Sequence, residues 1–244
     1  MVIRQVFSAF MKHFGAKEVI EDATRRGLDV TGLLVRTFTG LFVVGCSAYF
    51  LCQKRMLNED TTRIVSRIFF WPTIPITYLS SLRRGKYFTP IDDTLLLGGA
   101  PLAILGHPEE LREIGVRGVI NMCGEYSGPR YAYDKLGIQQ LRLPTTDHFE
   151  PSLDAVIEAV KFIDRHRKEG GKVLVHCKGG HGRSAAVALC WLATMNPESP
   201  LKALNSELLD RRHVRKTLFQ QKTVTSFARY MAKKNIAGGV ESKE

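Results

Sequence analysis

Cys177 and Arg183 are separated by five residues, three of them glycine, in the run His176-Cys177-Lys178-Gly179-Gly180-His181-Gly182-Arg183-Ser184. A thiol and a guanidinium at this spacing suit one chemistry, nucleophilic attack on a phosphate monoester. Glycines permit a tight loop whose backbone N–H groups point inward, so a phosphate dianion is surrounded by donors without side-chain bulk. A helix starting directly after the loop adds the positive end of its dipole. The same field favours thiolate over thiol and makes Cys177 a nucleophile at neutral pH. Arg183 can hold two equatorial phosphate oxygens through its planar fork, which a lysine cannot do. Gly179, Gly180 and Gly182 form the floor of the loop. Lys178 and His181, also within it, either favour a strongly anionic substrate or point to solvent. His176 is expected to hold the loop through a ring hydrogen bond without touching substrate. Cys190 falls on an apolar helix face and reads as core.

Elements of two kinds must hold this loop. Lys172 to His176 reads as a short buried strand entering it, and Ser184 to Met195 as an apolar helix leaving it. Upstream, strands are expected at Thr94–Gly98, Gly118–Met122 and Ile138–Leu143, with helices at Pro108–Ile114 and from Ser152, a good N-cap, to about Gly170. Strands alternating with helices imply an α/β fold, a mostly parallel central sheet flanked by helices. The domain is expected over 91–235, with an N-terminal extension, 1–90, and a polar, disordered tail, 236–244.

The extension has its own character. The chain carries a net charge of +11, of which residues 1–90 hold about +7. Such a charge favours anionic partners such as phospholipid, nucleic acid or phosphorylated substrate. The basic residues lack interleaved aromatic platforms, which argues against nucleic acid. Met1 to Lys17 has Arg4, Lys12 and Lys17, no acid, and apolar residues at helical spacing, as in a mitochondrial targeting segment or a surface amphipathic helix. Gly32 to Cys52 approaches the roughly 20 residues of a membrane-crossing helix, and one span is expected there, a buried helix being the alternative. Ile68 to Leu82 is apolar and aromatic, but Pro72 and Pro75 argue against a regular helix, so an interfacial stretch holding the next domain against lipid is expected. The basic cluster Arg211-Arg212-His213 and Arg215-Lys216 reads as a solvated helix end or a lipid-facing patch. Five cysteines, an odd number without paired spacing, fit a thiol-tolerant compartment.

The segment from His176 to Ser184 resembles the HCxxGxxR signature of the protein tyrosine phosphatase superfamily. That resemblance implies the cysteine-phosphatase fold and a two-step route without metal or other cofactor: Cys177 forms a phosphocysteine, which water then hydrolyses. It also implies that Ser184 helps the thiolate leave and that an aspartate on an upstream loop protonates the leaving group. Asp147, in Pro144-Thr145-Thr146-Asp147-His148, is the candidate, with Glu150 and His148 in reserve; a plain turn cap is its other reading. More of the chain is similar to a branch of the dual-specificity enzymes, the mitochondrial phosphatidylglycerophosphate phosphatases. The similar stretches are Leu95 to Leu102, Gly115 to Met122, Gly124-Glu125-Tyr126 and Leu136 to Leu143. In that branch an acidic residue and a tyrosine lie by the active-site mouth, which places Glu125 and Tyr126 there. His181 and His148-Phe149-Glu150 depart from the branch pattern. The resemblance implies an anionic phospholipid substrate at a membrane surface, a mitochondrial, inner-membrane location and a place in the cardiolipin pathway. A protein phosphatase acting on phosphotyrosine or phosphothreonine would use the same loop. A phosphate-binding module without catalysis would not require the thiol.

Overall fold

Short runs of Val, Leu and Ile cannot leave their backbone groups or side chains in water, and here they pair into a five-stranded sheet of order β1-β2-β5-β3-β4. The computed structural model describes residues 30–241; the expected targeting segment, Met1 to Lys17, lies outside them. The strands are β1 (Phe88–Pro90), β2 (Leu95–Gly98), β3 (Val116–Cys123), β4 (Gln139–Thr145) and β5 (Lys172–His176). β5 lies at the centre, parallel to β2 and β3, and β4 extends β3 in parallel. The antiparallel strand β1, at the edge beside β2, was not foreseen. The mostly parallel α/β sheet is therefore as expected, and its central strand is covered on both faces: Val173, Leu174 and Val175 are fully buried. Each contributes about 1.5–3 kcal/mol on leaving water.

Helices in the described residues are α1 (Val30–Gln53), α2 (Glu59–Arg83), α3 (His107–Glu113), α4 (Arg130–Leu136), α5 (Leu153–Lys168), α6 (Arg183–Met195), α7 (Leu201–Arg211) and α8 (Lys222–Glu241). α6 is buried along its first ten residues, Arg183 to Leu192, which makes it the central helix of the core. α5 starts at the expected cap, where the Ser152 hydroxyl accepts the Ala155 N–H. α5 crosses β3 at Gly118, where a Cβ would come within 2.6 Å of the Phe162 ring. α8 continues to Glu241, into the segment expected as a disordered tail.

Two expectations need correction. A helix does form over Gly32–Cys52, as α1, but among the described residues no helix is long and apolar enough to cross a membrane. Arg36, Thr37, Thr39 and Ser47 interrupt its apolar run. Conversely, Ile68–Leu82 is regular helix despite Pro72 and Pro75. Both prolines, and Ile68 and Trp71, whose carbonyls lose an N–H partner, are exposed. The Thr73 hydroxyl donates to the carbonyls of Phe69 and Phe70, and the Thr77 hydroxyl to that of Thr73 at 3.0 Å. Asn58 caps the start of the helix, and burial of Val65, Phe70 and Ile74 offsets the cost. The chain divides into two compact units after Leu51. α2 and β1 thus belong with the sheet, ahead of the boundary expected at residue 91.

One partly buried junction ties the edge of the sheet to the central helix. Asp92 accepts the backbone N–H groups of Thr94 and Leu95 through Oδ1 and the Trp191 indole N–H, at 2.6 Å, through Oδ2. Asp92→Ala leaves the buried indole donor without a partner and should lower the unfolding free energy by about 3 kcal/mol in urea titration, whereas Asp92→Asn should retain at least half of that stability.

Candidate active site

Parallel pairing of β2, β5 and β3 brings their carboxyl ends to one edge, where Gly98, Asn121 and His176 are neighbours. Loops leaving that edge gather Cys177, Glu125 and Asp147, as expected for the ligand-binding edge of an open parallel sheet. The Cys177 loop connects β5 to α6, and its carbonyls all point outward to partners. Lys178 O accepts the Ala100 N–H at 3.2 Å, His181 O the Arg215 N–H at 3.0 Å, and Gly182 O the Ala186 N–H at 2.8 Å. Gly179 O and Gly180 O accept from the Arg212 guanidinium at 3.2 and 3.3 Å. With the carbonyls held outside, N–H groups face in, and the Gly180 N–H meets Cys177 Sγ at 3.3 Å. Gly180 has a φ of +75°, and a Cβ there would come within 2.7 Å of Gly98 O. A side chain at this position is excluded twice over.

Cys177 is 4% exposed at the base of this loop. Burial alone would push its thiol up. The Arg183 guanidinium and hydrogen bonds from Ser184, whose hydroxyl lies 3.2 Å from Sγ, outweigh burial and hold the pKa below its ordinary value. Cys123, where burial and the Glu125 carboxylate outweigh Arg183, and Cys190, where burial acts alone, are pushed upward.

Arg183 is held by two carboxylates and a backbone carbonyl. Its Nη1 and Nη2 donate to the two Glu125 carboxylate oxygens at 2.8 and 2.7 Å, a bidentate pair almost wholly removed from water. Nη1 also donates to Thr145 O, and Nη2 lies 2.9 Å from Asp147 Oδ1. Burial would push the Asp147 carboxyl up, but Arg183, His148 and Lys178 together hold it below the usual carboxylate range. Asp147 is therefore ionised in this arrangement. Its neighbour His148 has a φ of +67°, and its own N–H returns to Asp147 Oδ1 at 3.0 Å, which closes the turn that aims the carboxylate at Arg183. Glu150 faces elsewhere and accepts the Thr223 N–H at the start of α8.

Residues 95–223 match the family described as "Dual specificity phosphatase, catalytic domain". The chain belongs to the dual-specificity phosphatases. They are cysteine-dependent phosphatases, and the match takes in every site residue named above. The human "Phosphatidylglycerophosphatase and protein-tyrosine phosphatase 1" is 34% identical over 156 residues, 58% of this chain and 75% of that protein. The Arabidopsis thaliana "Phosphatidylglycerophosphate phosphatase PTPMT1" is 31% identical over 149 residues, 58% of this chain and 44% of its own. A crystal structure of PTPMT1 superposes with a TM-score of 0.55 at 26% identity, covering 62% of this chain and 99% of that one.

Within this dual-specificity phosphatase domain several side chains stand differently from the sequence expectation. Tyr126 does not face the mouth: its ring stacks on Phe70 of α2, centroids 4.8 Å apart, and its hydroxyl donates to Pro101 O at 2.6 Å. Lys178 turns toward α2 and donates to Thr73 Oγ1 at 2.6 Å. His181 turns away from the loop interior toward His213 O and the Arg84 side chain. Burial, followed by the nearby cations, lowers its pKa to about 4, so it brings no positive charge at neutral pH. His176 is fully buried, and burial lowers its pKa to about 3. Its Nδ1 approaches Cys177 O at a long 3.4 Å. Among the described residues no group of three or more His, Cys, Asp or Glu is placed to hold a metal ion.

Arg212 was missed. Read from the sequence as part of a solvated or lipid-facing cluster, it is buried and clamps the outer rim of the loop to β1. Besides Gly179 and Gly180 it donates to Lys86 O, Tyr87 O and Thr89 Oγ1 at 2.9–3.1 Å. Only Arg211 of that pair is solvent-exposed, beside Glu207. Arg212→Met keeps the stem and removes all five bonds. It should lower kcat/KM on a soluble aryl phosphate by about 100-fold through misplacement of the loop, with Cys177 alkylation by iodoacetate slowed as its N–H partner drifts; an unchanged alkylation rate would show that the clamp does not shape the loop.

Proposed function

We propose that this phosphatase hydrolyses the terminal monoester of phosphatidylglycerophosphate to phosphatidylglycerol at an anionic membrane surface, in the mitochondrion. The observation that carries the chemistry is the single cluster of Cys177 Sγ, inward N–H groups, Arg183 and Asp147. What supports the substrate is the extent of similarity to the human relative, whose name couples phosphatidylglycerophosphatase with protein-tyrosine phosphatase. The net charge of +11 supports an anionic lipid surface as partner.

In this reading the phosphate dianion enters the loop and takes the Arg183 edge now held by Asp147, while Glu125 keeps the guanidinium in plane. Asp147 then exchanges a cation for a dianion as its nearest neighbour, which raises its pKa and lets it carry a proton. Cys177 Sγ attacks phosphorus in line. The S–P bond forms as the P–O bond to glycerol breaks, and the leaving oxygen takes the Asp147 proton. Asp147, now a carboxylate, accepts a proton from the water that attacks the phosphocysteine. The departing thiolate is met by the Ser184 hydroxyl at the position it occupies now, 3.2 Å away.

The signs of the pH dependence follow. Cys177 must be ionised, and its pKa lies below the ordinary thiol value, so kcat/KM should rise from acid pH and level off before pH 9. Asp147 must be protonated in the complex, so kcat should fall on the alkaline side. Asp147→Asn should lower kcat by about 10²–10³ and abolish that alkaline fall, and Cys177→Ser should show no turnover. Phosphate release would be measured on phosphatidylglycerophosphate, on phosphoinositides and on a phosphotyrosine peptide. Preference for the glycerophosphate lipid supports the reading; preference for the peptide would make the chain a protein phosphatase with the same chemistry.

A further inference from the structure

α2 is the one long element of the second unit that lies wholly outside the matched residues 95–223, and it is two-faced. Its inner side packs on the core of the catalytic domain through Phe70 and Ile74. Its outer side repeats apolar residues at steps of four and three: Ile64, Ile68, Trp71, Pro75, Leu79 and Leu82. Those steps follow the helical period, so the six form one stripe about 27 Å long. All six are exposed, five of them by between 44% and 63%. A contiguous exposed apolar stripe of this length marks an interaction surface.

Charge identifies its occupant. Between Asp60 and Asp92 the chain has five cations, Arg63, Arg67, Arg83, Arg84 and Lys86, and no acid. All five are exposed, and Arg63 alone of them lies beside acids, Glu59 and Asp60 at the start of the helix. An apolar stripe with an aromatic ring near its middle and cations toward its ends is complementary to an anionic bilayer, where indole sits at headgroup depth and arginine meets lipid phosphate. The inner side of the same helix touches both catalytic loops. Thr73 Oγ1 accepts from Lys178 of the phosphate loop at 2.6 Å. Glu59 Oε1 accepts from Thr146, the residue before Asp147, at 3.0 Å.

We infer that α2 is the membrane-docking element of this enzyme, lying in the plane of an anionic bilayer on its Ile64–Leu82 stripe with the catalytic loops held against its opposite side. The choice of a bilayer rests on the proposed lipid substrate, but its test does not use that substrate.

The chain has two tryptophans. Trp71 is 60% exposed on the stripe, and Trp191 is fully buried and bonded to Asp92. Emission from the full chain therefore contains one reporter on the surface and one internal reference. Adding vesicles of phosphatidylcholine mixed with phosphatidylglycerol should shift the emission to the blue, and brominated acyl chains should quench the Trp71 component. Trp71→Phe should leave only the unquenched Trp191 signal. Partition onto phosphatidylcholine alone should be at least about ten-fold weaker. The double substitution Ile68→Ser with Leu79→Ser should weaken partition onto the mixed vesicles by about ten-fold or more while kcat/KM on a soluble aryl phosphate stays unchanged. Sedimentation of the chain with vesicles while Trp71 remains unquenched would overturn the inference, because another segment would then be the anchor. Failure to bind vesicles at all, as expected if a protein covers the stripe, would overturn it too. Either result could accompany rapid hydrolysis of phosphatidylglycerophosphate, so failure of the docking surface is distinguishable from failure of the proposed function.

Discussion

The buried ion pair between Arg183 and Glu125 is the constraint on which the site depends. A guanidinium with almost no solvent contact has lost its hydration, and only a well-placed carboxylate can offset that cost. Glu125 does so with both oxygens, which leaves the outer edge of the fork turned toward Asp147 and Thr145 O. Three properties follow from one placement. The positive field lowers the Cys177 pKa against its burial. The planar fork is locked before any phosphate arrives, so little side-chain entropy remains to be lost on binding. The Asp147 carboxylate is held as an anion on the Arg183 edge that phosphate takes in the proposed reaction, so in that proposal proton donation is coupled to phosphate binding.

The pair is costly, and the surrounding fold is arranged to bear it. Arg183 opens α6, so its backbone is fixed by the helix whose next nine residues are also buried. Glu125 lies two residues past the end of β3, whose last residue, Cys123, is paired with Thr145 of β4, and Thr145 O is itself an Arg183 acceptor. Register between β3 and β4 thus decides whether carboxylate and carbonyl converge on one guanidinium. A shift of β4 by one residue would put in its place a neighbouring carbonyl, which points to the opposite edge of the strand.

What was legible in the sequence is what lies close together along the chain. The glycines, thiol and arginine of the loop are consecutive, and their spacing carries their chemistry. The strands entering it and the helix leaving it show in the run of Val and Leu before Cys177 and of Ala, Val and Leu after Arg183. Asp147 was reachable through family resemblance alone, since one carboxylate in a loop has no local signature. Arg212 had no signal at all: its acceptors Gly179, Lys86 and Thr89 lie 33, 126 and 123 residues away. An arginine beside another arginine at a helix end looks solvated until the fold turns one of them inward. β1 was hidden for a different reason, since three residues containing a proline make no pattern, and antiparallel pairing with β2 alone defines them as a strand.

α2 failed the local rule about proline because that rule assumes that every helical N–H is needed. A proline costs most where its missing bond and its ring fall inside packed structure. On α2 both fall on the outer side, while Thr73 and Thr77 supply extra donors to the carbonyls of the inner side. The two sides therefore divide the work. The inner side is polar where it meets the catalytic loops, through Glu59, Thr73 and Thr77, and apolar where it meets the core, through Phe70 and Ile74. The outer side carries no acid from Thr61 onward, which a helix kept on the surface for solubility alone would not avoid. Prolines placed outward, threonines placed inward and a run of cations without acids after Asp60 are the features that favour the docking role inferred for α2.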